Sequence, residues 1–135
     1  MKRIVYVSRS TIPSLSADAE VGALVEKARS RNAELGITGA LIFTGDHFAQ
    51  IVEGPGAEID TLMARILHDP RHHSVQHFED LDVPGRHFAT WSLAYQGPST
   101  FVDRRVRSLF VSDASVRRRL KAELLDLLHD LVTPP

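Results

Sequence analysis

Residues 38–54, TGALIFTGDHFAQIVEG, carry two apolar segments separated by only three residues. A Gly-Asp pair tolerates positive φ, so 45–47 reads as a tight hairpin turn joining strands at 38–44 and 48–54. The hairpin lies between two helical patterns. Before it, Val21, Leu24, Val25, Ala28 and Leu35 recur at helical spacing over 17–35, with Ser16 placed to cap the start and Gly36 to end it. After it, Pro55-Gly56 open a second helix over roughly 57–68, whose stripe is Ile59, Leu62, Met63, Ile66 and Leu67; residues 69–73, DPRHH, close it. A strand at 3–8 precedes the first helix. Ile4, Tyr6 and Ser8 share one of its faces, and Val5 and Val7 the other; residues 9–16 read as a loop. Strands near 74–82 and 88–96, joined by VPGRH, follow the second helix. The order βαββαββ predicts an α/β, ferredoxin-like sandwich with two helices on one sheet face.

Both hairpin strands are apolar on both faces, and two helices cover only one. The second face needs a cover. A helix over about 113–132, with Val116, Leu120, Leu124, Leu127 and Leu131 in a stripe, supplies one, or else a partner does. Ser112 or Asp113 caps that helix, three arginines at 117–119 crowd its first turns, and a short helical segment is expected around 102–110. Residues 97–101 break the pattern, so the chain divides into a domain at 1–97 and a helical extension at 98–135 that packs on the sheet.

Bulk properties narrow the partners. At 135 residues the chain is one core-building domain, and its formal net charge of -1 suggests neither nucleic acid nor an anionic membrane. It has no cysteine, which removes disulfides, thiolate metal sites and a Cys nucleophile. There is no secretory pattern and no apolar run long enough to span a bilayer. The expectation is a cytoplasmic protein.

Five polar residues fall where the pattern calls for apolar ones. Asn32 lies four past Ala28 and seven past Val25, on the buried stripe of the first helix. Gln50 shares a strand face with Phe48 and Val52, and Tyr6 shares one with Ile4. Arg65 and Asp69 flank Leu62 and Ile66. Each has an ordinary explanation: a frayed helix end for Asn32, solvent at an open sheet for Gln50, a core tyrosine reaching the edge for Tyr6, an i,i+4 surface ion pair for Arg65 and Asp69. Together they point to one polar, planar, partly apolar ligand between the helices and the sheet, sandwiched by Leu24 and Ile66.

Other chemistries fit worse. His68, His72 and His73 with Asp69 offer metal-ligand types, but adjacent side chains diverge on a helix and no HxxxH spacing exists there, so no metal site is expected. A Ser-His-Asp hydrolase would lack its G-x-S-x-G elbow. The Gly-Pro-Gly at 54–56 lacks the spacing of a phosphate loop.

The segments IVYVS, RNAELGITGALIF, HFAQIVEGP, ILHDPRHHSV and RHFATWSL, in order over residues 3–95, resemble the successive motifs of the BLUF domain, a blue-light sensor that uses FAD. F-x-Q-x-x-E-G followed by D-x-R-H carries most of that resemblance, and the C-terminal tail resembles the two-helix extension of short, stand-alone members. The resemblance implies that Tyr6 donates an electron and then a proton to the excited flavin. Gln50 would sit between Tyr6 and the flavin edge, its amide rearranging after light. It makes Asn32 the holder of the C4 carbonyl and N3 side of the ring, and puts Arg31 near the pyrimidine end, where the family often has Asn or His. Arg65, Asp69, Arg71 and His72 match positions around the ribityl and phosphate groups, where cations and donors are expected. Trp91 matches the tryptophan of strand five.

Two positions depart from the family. Leu93 stands for the methionine thought to relay the glutamine's change to the sheet; leucine has similar volume, no sulfur and less flexibility. Ala28 stands for a serine that can partner the glutamine. The implied protein is a photoreceptor and not an enzyme. It signals through strand five or the C-terminal helices to a separate effector protein, as a homo-oligomer. A light-insensitive ferredoxin-like module sensing flavin or another small ligand is the rival reading, and the Tyr6–Gln50 pair separates the two.

Overall fold

The computed structural model describes residues 1–13, 15–80, 83–86, 88, 94–96, 122–123, 125–126 and 128. In order, the elements are β1 (Lys2–Ser10), α1 (Ala17–Leu35), β2 (Thr38–Phe43), β3 (His47–Gly54), α2 (Gly56–Leu67), β4 (His72–Asp80) and β5 (Ala94–Gln96). The sheet runs β4-β1-β3-β2-β5. Neighbouring strands among the first four are antiparallel, and β5 adds beside β2 in parallel. Each helix connects two strands that a third strand separates, which makes this the ferredoxin-like sandwich that the element order predicts.

Local chemistry sets the element ends. Gly36 takes φ 70° after α1, and its N–H returns to the Asn32 carbonyl, the left-handed stop that glycine adopts without strain. Gly45 takes φ 100° in the hairpin turn, and Thr44 closes that turn by donating its N–H to the His47 carbonyl. Ser16 does precede α1, but its side chain makes no capping bond; the hydroxyl turns to the Pro13 carbonyl and Glu20.

Several boundaries differ from expectation. β1 reaches Ser10, into the segment read as loop, and β4 starts at His72, inside the DPRHH read as a helix stop. The two extensions pair with each other, Arg9 with His73 and Ser10 with His72, beyond an irregularity in the β1–β4 register after Val7. Ser74 beside it has φ 56°, the kind of kink a β-bulge imposes. Long-range pairing thus extends strands whose local sequence reads as turn. Leu67 is 48% exposed, off the stripe assigned to it. Phe88 lies ahead of the described β5.

Both helices pack on one face of the sheet. Val21 and Val25 of α1 and Ile59, Leu62 and Met63 of α2 share a core with Ile4, Leu41, Phe43, Phe48 and Val52. The opposite face is buried as well: Val5, Val7, Ala40, Ile42, Ala49 and Ile51 are each fully inaccessible. Residues 122–123, 125–126 and 128 are helical, and Leu128 is fully buried; the expected helices at 102–110 and in the rest of 113–132 lie outside the described residues. On the opposite face Glu53, also inaccessible, accepts hydrogen bonds from Arg3 Nε at 3.0 Å and the Phe88 N–H at 2.9 Å. Arg86 donates to Thr38 Oγ1 and to the Gly36 and Glu53 carbonyls, so Arg86, like Phe88, is fastened to the β2–β3 end of the sheet.

Candidate functional site

The antiparallel register sets Tyr6 of β1 directly opposite Gln50 of β3, both pointing toward the helices. At that distance a cross-strand pair can bond side chain to side chain. Tyr6 Oη donates to Gln50 Oε1 at 2.5 Å, with the two residues 4% and 7% exposed. The glutamine oxygen is therefore committed to the tyrosine, and the amide nitrogen is left as a donor. Burial pushes the Tyr6 phenol well above its ordinary pKa, and the negative charge of Asp69 adds to the shift.

A cavity of about 500 Å³ opens above this pair, between the sheet and both helices. Leu24, Val25 and Ala28 of α1 and Leu62 and Ile66 of α2 form apolar walls, while Leu41 and Phe48 join Tyr6 and Gln50 on the sheet. The size and the balance of apolar walls with a few polar groups suit one ligand held in a fixed orientation. Asn32, 1% exposed, reaches it from the end of α1, because a position four past Ala28 and seven past Val25 falls on the same helix face. Lys27, Arg65 and Arg71 are exposed and form a cationic mouth.

Asp69 does not pair with Arg65. Arg71 takes its carboxylate in a fork, Nε to Oδ1 at 2.9 Å and a terminal nitrogen to Oδ2 at 2.7 Å. Those hydrogen bonds hold the Asp69 carboxyl below the usual carboxylate range. His72 ties the α2–β4 junction to β1. Its Nε2–H donates to the Ile66 carbonyl at 2.5 Å, so Nδ1 accepts from the Ser8 hydroxyl at 2.7 Å, and its ring stands edge-on to Tyr6 and Phe48. The histidines of the discarded metal reading diverge: His68 Nδ1 bonds the Ala64 carbonyl and His73 bonds Ser74.

The fold thus gathers Tyr6, Leu24, Ala28, Arg31, Asn32, Gln50, Arg65, Ile66, Asp69, Arg71 and His72 around one cavity. Trp91 and Leu93 lie outside the described residues. The sequence reading passed over Val25, Lys27, Leu41, Phe48 and Leu62, which also line it. Lys27 could have been found: it stands three past Leu24 and four before Arg31, on the same helix face. Phe48 could too, two residues before Gln50 on one strand face.

A flavin dinucleotide meets these features at three points. The apolar walls of α1 and α2 suit a planar ring system. The Gln50 amide offers a donor to its polar edge. Lys27, Arg65 and Arg71 at the mouth offer cations to its phosphates.

Comparison with known proteins agrees. The family model described as sensors of blue light using FAD matches residues 1–94. The beta subunit of photoactivated adenylate cyclase from Euglena gracilis is 30% identical over 93 residues, covering 69% of this chain and 11% of that protein. The alpha subunit from the same organism is 29% identical over 93 residues, covering 69% and 9%. The chain therefore spans about a tenth of these relatives' length. Among solved structures, the dark state of BlrB, a BLUF protein, superimposes with a TM-score of 0.78 at 28% identity, covering 96% of this chain and 95% of that one. The photo-activated state of BlsA shares the fold with a TM-score of 0.78 at 20% identity, covering 95% and 94%. The match across two thirds of the chain, the shared fold and a cavity that fits the cofactor carry one conclusion: this chain belongs to the BLUF family, the sensors of blue light that use FAD.

Proposed function

We propose that the Tyr6–Gln50 hydrogen bond is the light-operated switch of this protein, and that the residues gathered around the cavity hold FAD against it. The observation that carries this reading is the 2.5 Å bond from Tyr6 Oη to Gln50 Oε1 at the floor of a ligand-sized cavity. FAD, when bound, absorbs blue light and supplies a one-electron acceptor beside Tyr6. Tyr6 would then give one electron, and by way of the Gln50 amide its Oη proton, to the bound cofactor. Electron and proton both return to Tyr6, so no net oxidation remains. While Tyr6 lacks its proton, Gln50 Oε1 has no donor, and the amide is free to settle with a different edge toward Tyr6 and the cavity. Burial keeps water from substituting for either partner.

The other residues position the cofactor. Leu24 and Ile66 sandwich the ring, with Ala28 allowing close approach on the α1 side. Asn32 and Arg31 meet its polar edge. Asp69 and His72 face the ribityl chain, and Lys27, Arg65 and Arg71 face the phosphates. The changed hydrogen bonds of Gln50 bias the packing of β3 and its neighbours, with Trp91, Leu93 and the C-terminal extension as the readout. A separate effector protein or a second copy of the chain receives the signal. The relatives named as cyclase subunits share only the sensing part with this chain, so we assign it no reaction on a substrate.

The test is an absorption spectrum of the FAD-loaded protein before and after blue light. The expected result is a small red shift that reverses in the dark. A flavin spectrum that never shifts would leave a ligand-sensing module, and failure to take up FAD would sink the reading.

A further inference from the structure

His72 lines the cavity, yet both of its ring nitrogens are spent on the protein. A carbonyl only accepts, so Nε2 carries the proton that goes to the Ile66 carbonyl. Nδ1 of the neutral ring is then the acceptor for the Ser8 hydroxyl, 2.7 Å away. Ile66 belongs to the last turn of α2, where carbonyls lack a partner within the helix; this one also takes the Asp69 N–H at 3.2 Å. Ser8 is fully inaccessible and is not among the residues that line the cavity. It lies two past Tyr6 on the same face of β1, behind His72. One imidazole thus ties together β1, the start of β4 and the end of α2.

That imidazole stands against Tyr6. The two ring centroids are 5.9 Å apart with planes at 71°, a favourable edge-on contact. The Gln50 bond holds the phenol only at its tip, and it is lost whenever Tyr6 gives up its proton. The contact on the flank of the ring remains, and its anchors, Ser8 and Ile66, take no part in the proton's movement. Ile66 is also a wall of the cavity, so one clamp sets both the electron donor and the site of its acceptor. Resting on the light-sensor reading above, we propose that the Ser8–His72–Ile66 clamp fixes the Tyr6 ring relative to the bound FAD. Tyr6 then gives one electron and one proton to the cofactor, and takes both back, across a constant separation. Ser8 and His72 are positioning residues for this transfer. His72 faces the ribityl chain through ring carbons and makes no hydrogen bond to it.

The test reads electron transfer and cofactor binding separately. An excited flavin that takes an electron from Tyr6 does not emit, so the fluorescence lifetime of the FAD-loaded protein reports the rate of transfer. Ser8→Ala removes the donor to Nδ1 and touches no ligand. It should slow the transfer about tenfold, because misplacing a reacting group by about 1 Å costs about a hundredfold and one lost hydrogen bond allows less. FAD affinity should stay at the wild-type value, a split that general loosening of the fold would not give. His72→Gln should slow the transfer as well, and adding Ser8→Ala to it should slow it no further, because both break one clamp. In a Tyr6→Phe background, Ser8→Ala should leave the lifetime untouched. A change there would mean that the serine acts on the flavin without Tyr6, and would overturn the proposal. An unchanged lifetime in Ser8→Ala, with FAD affinity lost in His72→Gln, would make His72 a ligand contact and overturn it too. In that case a wild type that still shifts under blue light leaves the light-sensor reading standing. A wild type with no shift, and with the lifetime of Tyr6→Phe, removes that reading and the clamp's role with it.

Discussion

The two faces of β1 and β3 are one residue apart in sequence and opposite in construction. Toward the helices, Tyr6 and Gln50 share a hydrogen bond under a cavity of about 500 Å³. Away from them, Val5, Val7, Ala49 and Ile51 are packed to zero exposure. The polar groups of the second face gather at its end, where Glu53 takes up Arg3 and the Phe88 N–H. A small domain thereby keeps a movable amide without losing its core. Alternation in a strand sends successive side chains to opposite faces, so one strand serves both a switch and a packed layer. A slip of one residue in the β1–β3 pairing would turn Gln50 into the packed layer, and the buried apolar residues on both sides hold the register against it.

Tyr6→Phe has the largest expected effect, and it falls on the cavity face alone. It should abolish the light-induced shift completely and leave FAD bound, as read from flavin absorbance before and after blue light. A surviving shift would place the switch elsewhere. Ile51→Ala, one residue from Gln50 on the other face, should do the reverse. It should cost about 2–5 kcal/mol in urea unfolding, as expected for a large-to-small change in a tight core, with the shift retained in the folded protein. Loss of the shift in that variant while FAD stays bound would show that the faces are not independent.

Asp69→Asn carries a smaller effect, under about 1 kcal/mol, because both partners of the Asp69–Arg71 pair are partly exposed, 23% for Asp69 and 46% for Arg71. Its sign follows from the lowered carboxyl pKa. The ionised group stabilises the fold fully above about pH 4, and that contribution is lost as pH falls through the lower folded value. Wild type and Asp69→Asn should therefore differ at pH 7 in urea midpoint and converge in acid; a gap that widens in acid would contradict the pairing. The smallest effect is an expected constancy. Burial raises the Tyr6 phenol pKa, so the protonated form persists and the size of the light-induced shift should stay flat from neutral pH to about pH 10. Folding stability from the protonated phenol is likewise full below about pH 10 and falls as pH rises beyond it. A response that titrates near neutrality would mean that another group controls the proton.

Much of the site was legible because its signals are local. Asn32 and Gln50 stood out as amides on apolar stripes, and a buried amide needs a partner. Lys27 was passed over because a lysine on a helix reads as solvated surface until a second helix stands opposite it. The i,i+4 spacing offers Arg65 as a surface partner for Asp69, yet the chain turns after α2 and Arg71 forks onto it two residues later. His72 and His73 read as the end of a helix because their own sequence says turn; only pairing with Arg9 and Ser10 makes them strand.

The sequence by itself determined the order of elements, the two-helix face and the identity of the polar residues, since each follows from periodicities of 2 and 3.6 and from turn chemistry within a few residues. It also determined the family, through motifs whose spacing the fold preserves. Only the tertiary structure decided that Tyr6 and Gln50, 44 residues apart, share a hydrogen bond, and that the helices leave a cavity of about 500 Å³ above it. Those facts belong to strand register and to the gap left between helix and sheet. Register and gap are properties of the whole packed layer, and no local window of sequence contains them.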